Sequence, residues 1–126
     1  MARLLDHVDI RVSDMDASRA FYGVVLEPLG FGVRFDGPGA DGGAEVGFGD
    51  SDGTGFAIHE PTQNPGQDTV TRGAHIAFRA SAPEVVDAFH RAAVGHGARS
   101  IGDPGLRPEY SDGYYGAFVL DPDRCL

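Results

Sequence analysis

The chain predicts an α+β fold made of two copies of one strand–helix–strand module, and three observations carry that expectation. The first is an internal repeat. Leu5-Asp6-His7-Val8-Asp9-Ile10-Arg11-Val12-Ser13 returns as Gly73-Ala74-His75-Ile76-Ala77-Phe78-Arg79-Ala80-Ser81, at a constant offset of 68 residues. At the same offset Ala20-Phe21 returns as Ala88-Phe89. The second is periodicity, since each copy opens with a period-2 run and passes into an amphipathic helical stretch. The third is punctuation. Nineteen glycines and eight prolines in 126 residues mark many turns between short strands.

In the first copy Val8, Ile10 and Val12 share one strand face and His7, Asp9 and Arg11 the other. Ser13 is the expected helix cap, with Asp16 three residues on. Ala17, Ala20, Phe21, Val24 and Val25 form the expected buried stripe. Pro28 and Gly30 end the helix. Three strands are expected next, at Gly32–Asp36, Ala44–Phe48 and Gly55–Glu60, the last stopped by Pro61.

Thr62–Arg72 is polar and contains Pro65-Gly66, which reads as a linker. The expected organisation is a single domain over 1–126, with module one at 1–61, the linker at 62–72 and module two at 73–126. The second copy has its strand at Ala74–Ala80. Ser81 is the expected cap, Pro83 stands in the first turn, and Val85, Phe89, Ala92 and Ala93 make the stripe. A short strand at Ala98–Ile101, a polar loop at Gly102–Gly113 and a strong strand at Tyr114–Leu120 follow. Asp121-Pro122-Asp123 ends that strand, so the last strand of the second module is truncated or missing.

A formal net charge of −9 argues against nucleic acid, because phosphate contact needs a basic face. It suits cationic ligands and metal ions. The lone Cys125 cannot form an internal disulfide, which fits a cytoplasmic setting. No apolar run is long enough to span a bilayer, and no signal peptide is read at the N-terminus. The sequence contains no nucleophile constellation, and its glycines do not follow a phosphate-loop pattern.

Leu5-Asp6-His7-Val8, Ala20-Phe21-Tyr22, Gly73-Ala74-His75-Ile76-Ala77-Phe78 and Ala117-Phe118-Val119-Leu120-Asp121-Pro122-Asp123, in that order and with the repeat, resemble the vicinal oxygen chelate (glyoxalase/bleomycin resistance protein/dioxygenase) superfamily. The resemblance implies two βαβββ modules whose mixed sheet curls around a cleft. It also implies one divalent metal ion (Zn, Fe, Mn or Ni), held by first-strand residues of each module and by last-strand residues. On this chain His7, His75 and His59 match those positions, with Glu60 as the fallback to His59. The fourth position, commonly a glutamate, lies beyond Leu126.

The implied function is a metal-dependent lyase, isomerase or dioxygenase acting on a small oxygenated substrate. The alternative is a non-catalytic protein that sequesters an antibiotic or other aromatic ligand. Neutral imidazoles leave open coordination positions for substrate oxygens. Glu60 and Tyr115 are the candidates for proton transfer, and Arg107, Tyr114 and Tyr115 for substrate contact. Leu106–Gly113 is the candidate lid, and Phe35, Phe48 and Phe56 could wall the cleft, although packing is their commoner role. Arg11 and Arg79 are read as salt-bridging residues, and His90 and His96 as surface residues of the second helix. Exposed sheet edges predict a homodimer.

Overall fold

The computed structural model describes residues 4–40, 42–61 and 70–126. In chain order it contains β1 (Val8–Arg11), α1 (Met15–Leu26), a 3-10 turn (Glu27–Leu29), β2 (Gly32–Pro38), β3 (Ala44–Asp50), β4 (Gly53–His59), α2 (Pro83–Gly95), β5 (Ser100–Leu106) and β6 (Tyr115–Val119). The α+β expectation holds, as a mixed sheet that curls without closing and two helices. Residues 62–69 of the expected linker lie outside the described residues.

The first sheet has the order β1-β4-β3-β2. β1 runs parallel to β4, with Val8 opposite Phe56 and Arg11 opposite His59. The β2–β3 and β3–β4 pairs are antiparallel hairpins. β5 and β6 form a separate antiparallel pair. Ile10, Val12, Val46, Phe48, Phe56 and Ile58 turn one face of the first sheet into a core with Phe21, Val25 and Leu26 of α1. Phe48 and Phe56 therefore pack in the core, while Phe35 stands on the other face.

The buried face of α1 differs from the expected stripe. Ser18, Phe21, Tyr22, Val25 and Leu26 are buried, while Ala17, Ala20 and Val24 are exposed. The face turns because Tyr22 finds a buried partner: its hydroxyl donates to Asp121 at 2.6 Å. A buried phenol with a satisfied hydroxyl contributes most of its ring as apolar surface. Burial first, and then the Asp121 carboxylate, push the Tyr22 phenol far above its ordinary range.

The caps also differ. Asp14, one residue past Ser13, caps α1 by accepting the Ala17 N–H. Ser13 instead donates its hydroxyl and its N–H to the two oxygens of Asp123. Ala82 takes the N-cap position of α2 with no side-chain cap, and Pro83 begins the helix as expected.

The second copy departs most from expectation. Ala74–Ala80 is not a strand by pairing, although its burial still alternates, with Ile76 and Phe78 packed against the core. No strand lies beside it among the described residues. The expected Ala98–Ile101 strand is shifted to Ser100–Leu106, which takes up half of the expected Gly102–Gly113 loop. Pro104 and two glycines disguised it in the sequence. They are accommodated by register irregularities between Ser100 and Gly105. His90 is half-buried rather than on the surface, with its ring 2.8 Å from the Ser100 hydroxyl. His96 is exposed, as expected.

The terminal turn fastens the two copies together. Asp121 is 7% exposed and accepts hydrogen bonds from the Tyr22 hydroxyl and from the N–H groups of Asp123 and Cys125. Cys125 is buried, and burial raises its thiol pKa. We expect iodoacetamide to alkylate Cys125 at pH 8 about tenfold or more slowly in the folded chain than in urea, read by mass spectrometry. Equal rates would mean that the turn opens freely.

Candidate functional site

Strand pairing decides which polar side chains share a face, because partners in register lie on the same side of a sheet. Arg11, His59, Glu45 and Gly37 are register partners in one row across β1, β4, β3 and β2. Asp9, Ala57, Gly47 and Phe35 form the next row. The face opposite the core therefore carries a compact polar patch bordered by Phe35.

His59 is the centre of the patch. Its Nε2 lies 3.3 Å from Asp9 Oδ2 and 3.6 Å from Glu45 Oε1. These are ion-pair separations without hydrogen-bond geometry, and both ring nitrogens are buried with no hydrogen-bond partner. Its side chain is only 12% exposed. A buried imidazole with unsatisfied nitrogens is uncommon enough to point to an absent partner. Two carboxylates around one imidazole favour a cation or a hydrogen-bond donor there.

His7 stands at the start of β1, exposed, with Nδ1 2.8 Å from Asp6 Oδ1. The Asp6 hydrogen bond, followed by the charge of Asp9, raises its pKa. Arg11 donates to the carbonyl of Glu60. The Glu60 side chain is exposed one residue beyond β4.

The second-copy candidates gather elsewhere, around a cavity of about 590 Å³. His75 lines it and packs edge-on against Phe118, with ring centroids 5.9 Å apart. Tyr114 and Tyr115 diverge as alternation requires. Tyr114 packs against Tyr110, while the Tyr115 hydroxyl donates to Asp87 on α2 at 2.7 Å. That hydrogen bond is the first cause raising the Tyr115 phenol. Arg107 lies over the Phe118 ring and donates to the Asp103 carbonyl, so its own strand holds it. Arg79 is exposed.

The structure thus places His59 beside Asp9 and Glu45, with His7 one residue before the strand that carries Asp9. It shows no hydrogen bond, ion pair or ring contact joining His75 to His7 or His59. No group of three or more His, Cys, Asp or Glu able to hold a metal ion occurs among the described residues. The donor types and the orphaned His59 ring fit a divalent cation; one described chain does not complete its ligand set. Asp9 and Glu45 were missed in the sequence. Asp9 had a signal in sharing a strand face with His7, but Glu45 had none before its register with His59 was known.

Comparisons with known proteins agree on the fold family. Residues 4–126 match the family model for the Glyoxalase/Bleomycin resistance protein/Dioxygenase superfamily. No curated protein matches the chain. Among solved structures, a glyoxalase/bleomycin resistance protein from Albidiferax ferrireducens T118 is 29% identical, with 98% of this chain and 93% of that chain covered and a TM-score of 0.74. An antibiotic binding protein from Streptomyces sp. CB03234 is 21% identical, with 97% and 89% covered and a TM-score of 0.58. A lactoylglutathione lyase from Agrobacterium tumefaciens is 18% identical, with 99% and 90% covered and a TM-score of 0.63. The last two likenesses speak to the fold alone. No helix is long and apolar enough to cross a membrane among the described residues.

Proposed function

The chain belongs to the glyoxalase/bleomycin resistance protein/dioxygenase superfamily, and from that premise we propose that it binds a small oxygenated molecule at a divalent metal ion on the open face of its four-stranded sheet. His7 and His59 would hold the ion, in a cytoplasmic homodimer. The reading rests on His59, whose two ring nitrogens are buried and unpartnered beside two carboxylates. Superfamily members typically bind a metal ion, and such an ion polarises a substrate oxygen and lowers the pKa of a bound hydroxyl or water.

The chain's own residues do the rest. Asp9 and Glu45 face Nε2 of His59 and place negative charge beside the ring, which favours a cation there. Arg11 is tied to the Glu60 carbonyl and orders the end of β4. The exposed Glu60 carboxylate is the candidate to accept a substrate proton, whereas the Tyr115 hydroxyl is held as a donor to Asp87 beside the other cavity. The reaction would be of the lyase, isomerase or dioxygenase type.

Phe35 supports a second reading. Phe35 is 42% exposed on the same face, and its ring edge lies near Gly37, free to stack on an aromatic ligand. That suits a protein that sequesters a cationic aromatic drug without catalysis.

Elemental analysis and titration calorimetry with Zn, Mn, Ni and Fe(II) separate the two. The metal reading expects about one ion per chain, with affinity falling about tenfold or more in a folded His59→Ala variant. Retention of none of the four ions sinks it. Binding of a cationic aromatic drug such as bleomycin by that metal-free chain would leave the second reading standing.

A further inference from the structure

We infer that His90, Ser100 and Asp103 form a second site for a divalent cation of the Mn or Zn kind, where α2 meets β5. Three donor atoms converge there. His90 Nε2 lies 2.8 Å from Ser100 Oγ and 3.6 Å from Asp103 Oδ1, and Ser100 Oγ lies 3.0 Å from Asp103 Oδ1. Donors held about 2.1 Å from one ion stand about 3.0–3.4 Å apart in octahedral or tetrahedral geometry. The three separations bracket that range, so one ion can cap the triangle and keep its other positions for water.

The strand is built irregularly to make this arrangement. Three residues apart, Ser100 and Asp103 would face opposite sides of a regular strand. β5 carries an extra residue between them, because Ser100 to Gly102 opposes Val119 to Phe118. The extra residue reverses the alternation and returns Asp103 to the side of Ser100 and α2. Arg107 donates to the Asp103 carbonyl and braces that segment. The His90 side chain is 17% exposed and that of Asp103 86% exposed, so the ring is held while the carboxylate leaves an entry path.

Two other uses fit these atoms less well. In a hydrolytic triad the carboxylate sits on the ring nitrogen away from the nucleophile. Here the hydroxyl and the carboxylate both face Nε2. A hydrogen-bond network satisfies Ser100 but leaves Nε2 and Oδ1 at 3.6 Å, beyond hydrogen-bond reach. A cation draws on all three at once. One imidazole, one carboxylate and one hydroxyl make a mixed nitrogen and oxygen set, which suits a first-row divalent ion. Coordination takes the Nε2 lone pair and leaves the ring proton on Nδ1. The site shares no residue with the His59 patch, so this inference and the proposed function fail independently.

Mn(II) is the probe, because its paramagnetism broadens NMR signals close to it. Added below one equivalent to the full chain, it should selectively broaden the amide signals of His90, Ser100 and Asp103, in the native chain and in His59→Ala alike. Zn(II) should reverse the broadening by displacement. Asp103→Asn and His90→Gln keep hydrogen-bonding groups but lose a donor, and each should weaken Mn(II) binding there about tenfold or more. If His90→Gln loses the native spectrum, Asp103→Asn, altered at an exposed side chain, carries the test. Signals of the three residues that stay sharp through one equivalent overturn the site. Broadening that vanishes in His59→Ala, or persists unchanged in Asp103→Asn, overturns it too.

Discussion

Gly49→Ala is expected to destabilise the chain by more than about 3 kcal/mol, because overpacking against main chain leaves little to move aside. A Cβ built on Gly49 would sit 1.8 Å from the Gly53 carbonyl oxygen and 2.9 Å from the Thr54 Cα. Both are backbone atoms of the hairpin that joins β3 to β4. Gly49 lies at the irregularity where the register steps from Phe48–Phe56 to Gly49–Thr54. Relief would need the hairpin to open, and His59 sits on the strand that would shift. Urea unfolding is the measurement, and the melting temperature should fall by about 10 °C or more for a domain of this size. Gly55→Ala is the control: nothing lies within 4 Å of its Cβ, so it should change stability little. A Gly49→Ala variant as stable as Gly55→Ala would show that the close approach is not native.

The second large effect is expected at Asp121. Its carboxylate serves one phenol and two backbone N–H groups while almost wholly buried. Asp121→Ala strands all three donors, and each buried unsatisfied donor costs about 1–3 kcal/mol, so a loss of about 3–5 kcal/mol follows. Tyr22→Phe removes one of the three bonds and should cost about 1–2 kcal/mol. Asp121→Asn keeps an acceptor oxygen and should recover much of the loss. The order Ala worse than Asn, with Phe at position 22 the mildest, is what chemical denaturation should show. If Asp121→Ala cost no more than Tyr22→Phe, the backbone bonds of the turn would be negligible.

Local patterns in the sequence carried much of the fold. β2, β3 and β4 were visible in apolar alternation broken by glycine turns, and the repeat exposed the equivalence of His7 and His75. Local pattern failed where partners are remote. Asp121 and Asp123 read as a chain-breaking turn because Tyr22 and Ser13 lie 99 and 110 residues away in sequence. Ser13 resembled a helix cap for the same reason: its actual acceptor was out of view. The apolar residues of α1 allowed two neighbouring faces, and only the Tyr22–Asp121 bond chose between them. Ala74–Ala80 kept the strand periodicity, but periodicity records which side of a segment is buried, not whether neighbours exist to pair with it. At the candidate site His59 was legible as a residue and Glu45 was not, because their meeting depends on β3–β4 register.

The Ser13 and Tyr22 contacts also bear on how the chain is made. Their acceptors lie 110 and 99 residues further along, so a polypeptide still leaving the ribosome holds α1 without them. The Tyr22 phenol and the Ser13 hydroxyl must stay hydrated until Asp121 and Asp123 emerge. The first module is therefore born with its helix face incompletely sealed, and its final packing waits on that later turn.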